Sequence, residues 1–138
     1  MGITIPESHR DLLAGAVNVV LTTIMPDGQP QTTPVWCNLE GDYVLINTMQ
    51  QFQKGRNIQR NPRVGLLAYR LKQPLRNIEV RGKVIEITEE GALEHLNELN
   101  MMYSGKPNFF GDSVPEEFIH KFTPLKVRIE PIRVRVEG

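Results

Sequence analysis

Apolar positions along the chain fall into short runs separated by turn residues, and the period of the runs changes along the sequence. Val17 to Met25 is dense in β-branched residues and predicts a first strand. Pro26-Asp27-Gly28 is a turn, and Gln31 to Asn38 predicts a second strand, so the two form a hairpin. Pro34 cannot donate to a ladder. It belongs at a sheet edge, at a bulge, or where the backbone faces something other than a strand. After the turn Glu40-Gly41-Asp42, Tyr43 to Thr48 predicts a third strand. Val64 to Tyr69, apolar on both faces, predicts a fourth. Arg76 to Thr88 predicts a long fifth strand, apolar at Ile78, Val80 and Val84 and then at Ile85 and Ile87. That change of parity near Gly82 predicts a bulge or a barrel corner. Leu125 to Val136 is the sixth strand, its parity broken at Pro131.

Helical segments lie between these runs. Thr4 and Glu7 have capping-box spacing around Pro6 and predict a short helix ending near Gly15. Phe52 to Asn61 is polar and helical, with Pro62 ending it. Thr88 is expected to cap a helix with Glu89 and Glu90 in its first turn, an apolar stripe of Leu93, Leu96, Leu99 and Tyr103, and a stop at Gly105. Ser113 and Glu116 frame Pro115 and predict a short helix carrying Phe118, Ile119 and Phe122. Six strands with short flanking helices predict a mainly β, α+β fold, a six-stranded antiparallel barrel. At 138 residues the chain is long enough for one domain, residues 1–138, and too short for two ordinary ones.

Composition narrows the function classes. Hydrophobic residues make up 40% and charged residues 23%, a globular balance. Sixteen Lys and Arg offset sixteen Asp and Glu, so any site for an anion must be local, and neither nucleic acid nor an anionic membrane is an expected partner. The single cysteine, Cys37, excludes an intrachain disulfide framework and a Cys-rich zinc site; a buried structural thiol is expected. No apolar run approaches the ~20 residues of a membrane span, and Met1 to Leu13 lacks a signal-peptide core. The expected compartment is the reducing cytoplasm.

Candidate chemistry concentrates in two stretches. Asn47 to Arg63 carries Lys54, Arg56, Arg60 and Arg63 and no acid. A helix start there supplies free backbone N–H groups and a positive dipole end, with Lys54 in or near the first turn and the Thr48 hydroxyl at the preceding strand end. Two readings stand side by side: a phosphate cradle, or a solvated basic helix. Thr32-Thr33-Pro34-Val35-Trp36-Cys37 holds the only tryptophan beside two hydroxyls and an interrupted ladder. It either lines a slot for a planar ring or simply packs in the core. His9, His95 and His120 lack metal-ligand spacing and are expected as surface or capping residues. Neither a P-loop nor a G-x-G-x-x-G motif is present, and nothing pairs Glu79 or Glu86 for acid–base work. Phe109-Phe110 reads equally as a lid, a dimer contact or a helix anchor.

At these residues the sequence resembles the pyridoxamine-phosphate-oxidase-like superfamily of flavin-binding split β-barrels, and looks closest to its branch of small oxidoreductases that use FMN or coenzyme F420. The resemblance runs from Leu21-Thr22-Thr23-Ile24-Met25-Pro26-Asp27-Gly28-Gln29-Pro30 through Pro34-Val35-Trp36. It continues through Lys54-x-x-Asn57-x-x-x-Asn61-Pro62-Arg63 and Gly82-Lys83-Val84 to Val127-Arg128-Ile129-Glu130-Pro131. The lysine-to-Asn-Pro-Arg segment is its most specific part. The family implies a homodimer with two cofactor sites at the interface. It implies that Thr33, Pro34, Val35 and Trp36 flank the ring, that Asn47 and Thr48 lie near the ribityl chain and phosphate, and that Lys54 binds the phosphate, with Asn57 in the same motif. Gln53 stands where the oxidases proper often carry Arg, and Arg56 is expected to replace that charge. Arg76 and Asn77 match an Arg-Gln pair that reaches the partner's cofactor. Basic groups near Arg56, Arg60 and Arg63 would suit the acidic tail of F420. The chain ends at Arg133-Val134-Arg135-Val136-Glu137-Gly138 without the oxidases' pyridoxal-phosphate-holding segment, so pyridoxamine phosphate oxidation is not expected.

The resemblance thus implies an oxidoreductase that moves hydride between F420 or FMN and a small organic substrate, without a covalent protein catalyst. The alternative is a non-catalytic FMN-binding carrier or sensor of the same fold. A haem-handling barrel would need an axial histidine, and the predicted strands carry none.

Overall fold

A computed structural model describes residues 3–138. Seven strands, β1 (Asn18–Ile24), β2 (Pro30–Val35), β3 (Cys37–Glu40), β4 (Tyr43–Met49), β5 (Arg63–Arg70), β6 (Gln73–Thr88) and β7 (Pro124–Glu137), form one antiparallel sheet. Three helices accompany them: α1 (Asp11–Ala14), α2 (Gln53–Arg60) and α3 (Ala92–Ser104). The order is β2-β1-β5-β6-β7-β4-β3, so β2 and β3 lie on opposite edges. Yet only Trp36 separates them in sequence. A single residue can join the two edges only if the sheet curls until they nearly meet. The result is a barrel split along one seam, the antiparallel barrel that the sequence predicts.

This corrects the strand count from six to seven. The predicted second strand, Gln31 to Asn38, is two strands that part at Trp36. Pro34 lies on the edge strand β2, paired with Val20 of β1 on one side only, where its missing N–H costs the sheet nothing.

Alternate residues of the strands fill the barrel: Val19 and Leu21, Val44 and Ile46, Leu66 and Ala68, Ile78 and Val80, Val127 and Ile129. Ile5, Leu12, Leu13 and Ile58 from flanking segments complete this core. Two irregularities set the curvature of the long β6–β7 pair. Between Arg81 and Gly82 the register slips, with Gly82 facing Pro131 and Ile132 left over on β7. A Cβ on Gly82 would lie 2.5 Å from Ile129 Cγ2, so only glycine lets β7 cross this closely. A second slip between Val84 and Glu86 leaves Ile85 over. Ile85 therefore points outward, and the interior resumes at Ile87.

Three predicted helix starts differ. The extended backbone of Pro6 halts the first, leaving a 3-10 turn at Glu7–His9 and then α1, while Asp42 accepts the Ile5 N–H at 3.0 Å. Thr88 caps only a turn by accepting the Glu90 N–H at 3.0 Å, and α3 begins after left-handed Gly91. Ser113 donates to Asn100 Oδ1 at 2.7 Å instead of capping, and Glu116–His120 is a 3-10 turn. No helix of the described residues is long and apolar enough to cross a membrane.

Candidate functional site

A cavity of about 460 Å³ opens beside the seam. Residues 17–20 at the start of β1, the Pro34–Trp36 corner, the end of β4, the start of α2, and α3 with the loop after it all line it. Its size is that of a small-molecule or cofactor site.

One wall is aromatic. Trp36 stacks on Tyr103 with ring centres 5.2 Å apart and planes at 16°, and Phe109 meets it edge-on at 6.1 Å. The Tyr103 hydroxyl donates to the Cys37 carbonyl at 3.3 Å and accepts the Cys37 N–H at 3.2 Å, clamping α3 to the residue after the junction. Burial pushes the Tyr103 phenol up to about 12 and the Cys37 thiol up to about 12, so neither is an acid or nucleophile near neutral pH. Phe109 is tied to α3: its N–H donates to Asn97 Oδ1 at 2.9 Å, and Phe110 packs with Met49 and Leu96.

The polar end lies where β4 passes into α2. Lys54 is half-buried, donates to Thr33 Oγ1 at 3.0 Å and reaches the Pro34 carbonyl at 3.5 Å. Burial lowers its pKa, and it is the only cation lining the cavity among the described residues. Helix α2 opens at Phe52 without a side-chain cap, which leaves first-turn N–H groups free of side-chain partners. Gly55 seats this helix: a Cβ there would lie 2.3 Å from the Met49 carbonyl oxygen. Near the end of β4, Asn47 Oδ1 and Thr48 Oγ1 are buried and have no hydrogen-bond partner among the described residues. Both residues line the cavity. Both oxygens are sealed from solvent, so it is the other atoms of these two residues that face the cavity.

Six of the twelve residues assigned from sequence therefore meet at the cavity: Pro34, Val35, Trp36, Asn47, Thr48 and Lys54. Thr33 adjoins it through Lys54. The other five are engaged elsewhere. Asn57 is fully enclosed and braces α2, giving to Thr23 Oγ1 at 3.0 Å and Gln31 Oε1 at 3.3 Å and accepting from Gln53 at 2.8 Å. Arg56 donates to the Gln51 carbonyl at 2.6 Å and to Gln53 at 2.7 Å, and Arg60 to the Ile24 carbonyl at 2.6 Å. The basic track expected from these arginines does not line the cavity. Arg76 grips Asp11 at 2.6 Å and the Ser8 carbonyl at 2.7 Å, which holds the Asp11 carboxyl down to about 2. Asn77 donates to the Leu75 carbonyl at 3.2 Å.

The sequence did not point to Tyr103 and Phe52 as lining residues, and it led to His95 and His9 as surface or capping residues. Both histidines are buried. The signal for His95 was its place in the α3 stripe, three residues after Ala92 and four before Leu99, both buried. His9 lies between Ser8 and the Glu137 carbonyl. No group of potential metal ligands occurs among the described residues.

A family model for pyridoxamine 5'-phosphate oxidase matches residues 5–131. Among solved structures, the chain is similar to an F420 reductase at 27% identity, over 95% of this chain and 98% of that one, with a TM-score of 0.78. It is similar to a conserved hypothetical protein from Mycobacterium tuberculosis at 25% identity, over 99% and 87% of the two chains, with a TM-score of 0.74. General stress protein 26 from Bacillus anthracis shares the fold at 22% identity, over 95% and 92%, with a TM-score of 0.67. No curated protein matches the chain.

Proposed function

Because the chain belongs to the pyridoxamine 5'-phosphate oxidase family of split β-barrels, we propose that it is an oxidoreductase whose cavity holds FMN or coenzyme F420 and serves a small organic substrate. The observation that carries this reading is the half-buried Lys54 ammonium, set against the Thr33 hydroxyl in the same cavity that the stacked Trp36 walls. That set offers a cation and hydroxyl for a phosphate, with an aromatic wall for a ring. The F420 reductase neighbour supports the same class.

Either cofactor, once bound, supplies the hydride chemistry. The chain's own residues bind and orient. Lys54 and the open first turn of α2 hold the anion, Trp36 is fixed as a flat wall by Tyr103 and Phe109, and apolar Leu96, Leu99 and Met49 exclude water from the inner side. Cys37 and Tyr103, both held protonated, act as structural groups of the wall rather than as nucleophiles.

The same proposal includes a homodimer. The outer face of β1 and β5 continues from the cavity, since Asn18 pairs with Tyr69 and Val20 with Leu67. That face carries exposed Leu67, and the β5–β6 hairpin tip beyond it carries exposed Leu71 and Leu75. A second chain would cover this apolar surface and close the cavity mouth.

Purification followed by a visible spectrum, and fluorescence titration with FMN and with F420, tests the reading. One of the two should bind. Lys54→Ala should weaken it by about 1.5–3 kcal/mol, the range of a hydrogen bond to a charged group. Failure of both to bind, or equal affinity in the variant, overturns the assignment. A bound cofactor that reduces no acceptor would favour the carrier reading.

A further inference from the structure

Lys54 is the only charged side chain that lines the cavity among the described residues. Its ammonium donates to Thr33 Oγ1 at 3.0 Å and makes a longer contact of 3.5 Å to the Pro34 carbonyl. The other basic groups of α2 are kept away from it for a geometric reason. Residues two apart on an α-helix point to nearly opposite sides, so a helix that turns Lys54 to the cavity turns Arg56 from it. Arg56 is exposed and tied back across the turn, donating to the Gln51 carbonyl at 2.6 Å and to Gln53 Oε1 at 2.7 Å. Gln51 is itself joined to Thr123 by hydrogen bonds of 2.9 and 3.2 Å. Arg60 donates to the Ile24 carbonyl at 2.6 Å. Gln53, the first residue of α2, is neutral, and its carboxamide is engaged at both ends, by Arg56 and by Asn57.

The positive charge open to an anion is therefore one ammonium and the uncapped first turn of α2, a helix end equivalent to about half a charge. Burial disfavours the ammonium and lowers its pKa, and one anion beside it restores what burial takes away. A phosphate monoester brings nearly two negative charges at neutral pH, because its second ionisation lies near pH 6. A phosphate diester brings one. The second charge of a monoester would find no partner here, and a charge held out of water without a partner is unfavourable.

We propose that the cavity is built for an anion of single charge, a phosphodiester, and discriminates against the phosphate monoester of the same ring. The inference rests on the reading that the cavity holds FMN or F420, and it chooses between them: FMN carries its phosphate as a monoester and F420 as a diester.

The test uses matched pairs that differ only in the ester. FMN and its phosphate methyl ester form one pair. The 5′-phosphate of the F420 ring system and its methyl ester form the other. Each is titrated by fluorescence into the native protein at pH 7.5. On whichever ring binds, the diester should be the tighter ligand, by about three- to tenfold. A monoester bound as tightly as the diester, or more tightly, overturns the proposal. Phe52→Arg separates charge from any contact of the added methyl group. Phe52 lines the cavity at the start of α2 and is 40% exposed, so an arginine there places a second cation beside the first turn. The preference should then move towards the monoester by about tenfold, and an unchanged preference overturns the proposal. If that variant fails to fold, Arg56→Gln decides. It should leave both affinities within about threefold of native, and a loss of about tenfold or more for the monoester shows that a second cation reaches the anion and overturns the proposal. A preference for the monoester removes only this inference, whereas a native protein that binds neither ring in either form removes the functional reading with it.

Discussion

Asn57 sits on a polar helix yet is fully enclosed, and its carboxamide ties α2 to β1 and β2 through Thr23, Gln31 and Gln53. A sequence motif that places it three residues after Lys54 cannot separate a residue that binds from one that braces, because burial is decided by strands far away in the chain. Truncation leaves the Thr23 hydroxyl, itself fully buried, without a partner. Asn57→Ala should therefore cost about 2–4 kcal/mol in urea unfolding. His95 is the second case in which surroundings override residue type. Its folded pKa of about 4 lies below the ordinary value of 6.5, so the unfolded chain binds the extra proton between these values. Stability should rise with pH from about 4 to 6.5 and then level off, the His95 share reaching about 3 kcal/mol. Urea unfolding at pH 4.5 and 7 checks this; His95→Gln should flatten the difference.

Among the elements, the two crowded glycines have different duties. Gly82 lets β6 and β7 cross near Ile129, and Gly55 lets the first turn of α2 sit on the end of β4. Alanine at either should cost about 1–3 kcal/mol by overpacking. The difference lies in binding. Gly55→Ala shifts the turn that carries Lys54 and should weaken cofactor affinity in the titration, whereas Gly82→Ala, remote from the cavity, should leave it unchanged. The bulge at Gly82 and the end of α2 before Pro62 were legible because a glycine, a parity change and a proline are local signals. Pro34 is local in the same way, but it left edge, bulge and free backbone open together, and the pairing with β1 selects the edge. The break at Trp36 was not, because the partners of β2 and β3 are set by pairings that no local pattern records. The misread caps at Thr4 and Ser113 failed for a related reason: their spacing was right, but Asp42 and Asn100 hold those segments in other ways.

At the scale of the whole molecule, the hairpin tip tests the dimer. Leu71 is 74% exposed and Leu75 82%, far more than an isolated barrel needs. Light scattering of the native protein should give twice the 15.7 kDa chain mass, and Leu71→Asp with Leu75→Asp should return it to one chain with the fold intact. Cofactor affinity should fall with it if the partner closes the site. The aromatic wall of the cavity is also the one-residue hinge pin between the outermost strands of the sheet. A ring pressed against that pin would stiffen both rims together. Deuterium uptake should then slow in 30–35 and 37–40 on loading, although six hydrogen-bonded steps across the sheet separate those two stretches.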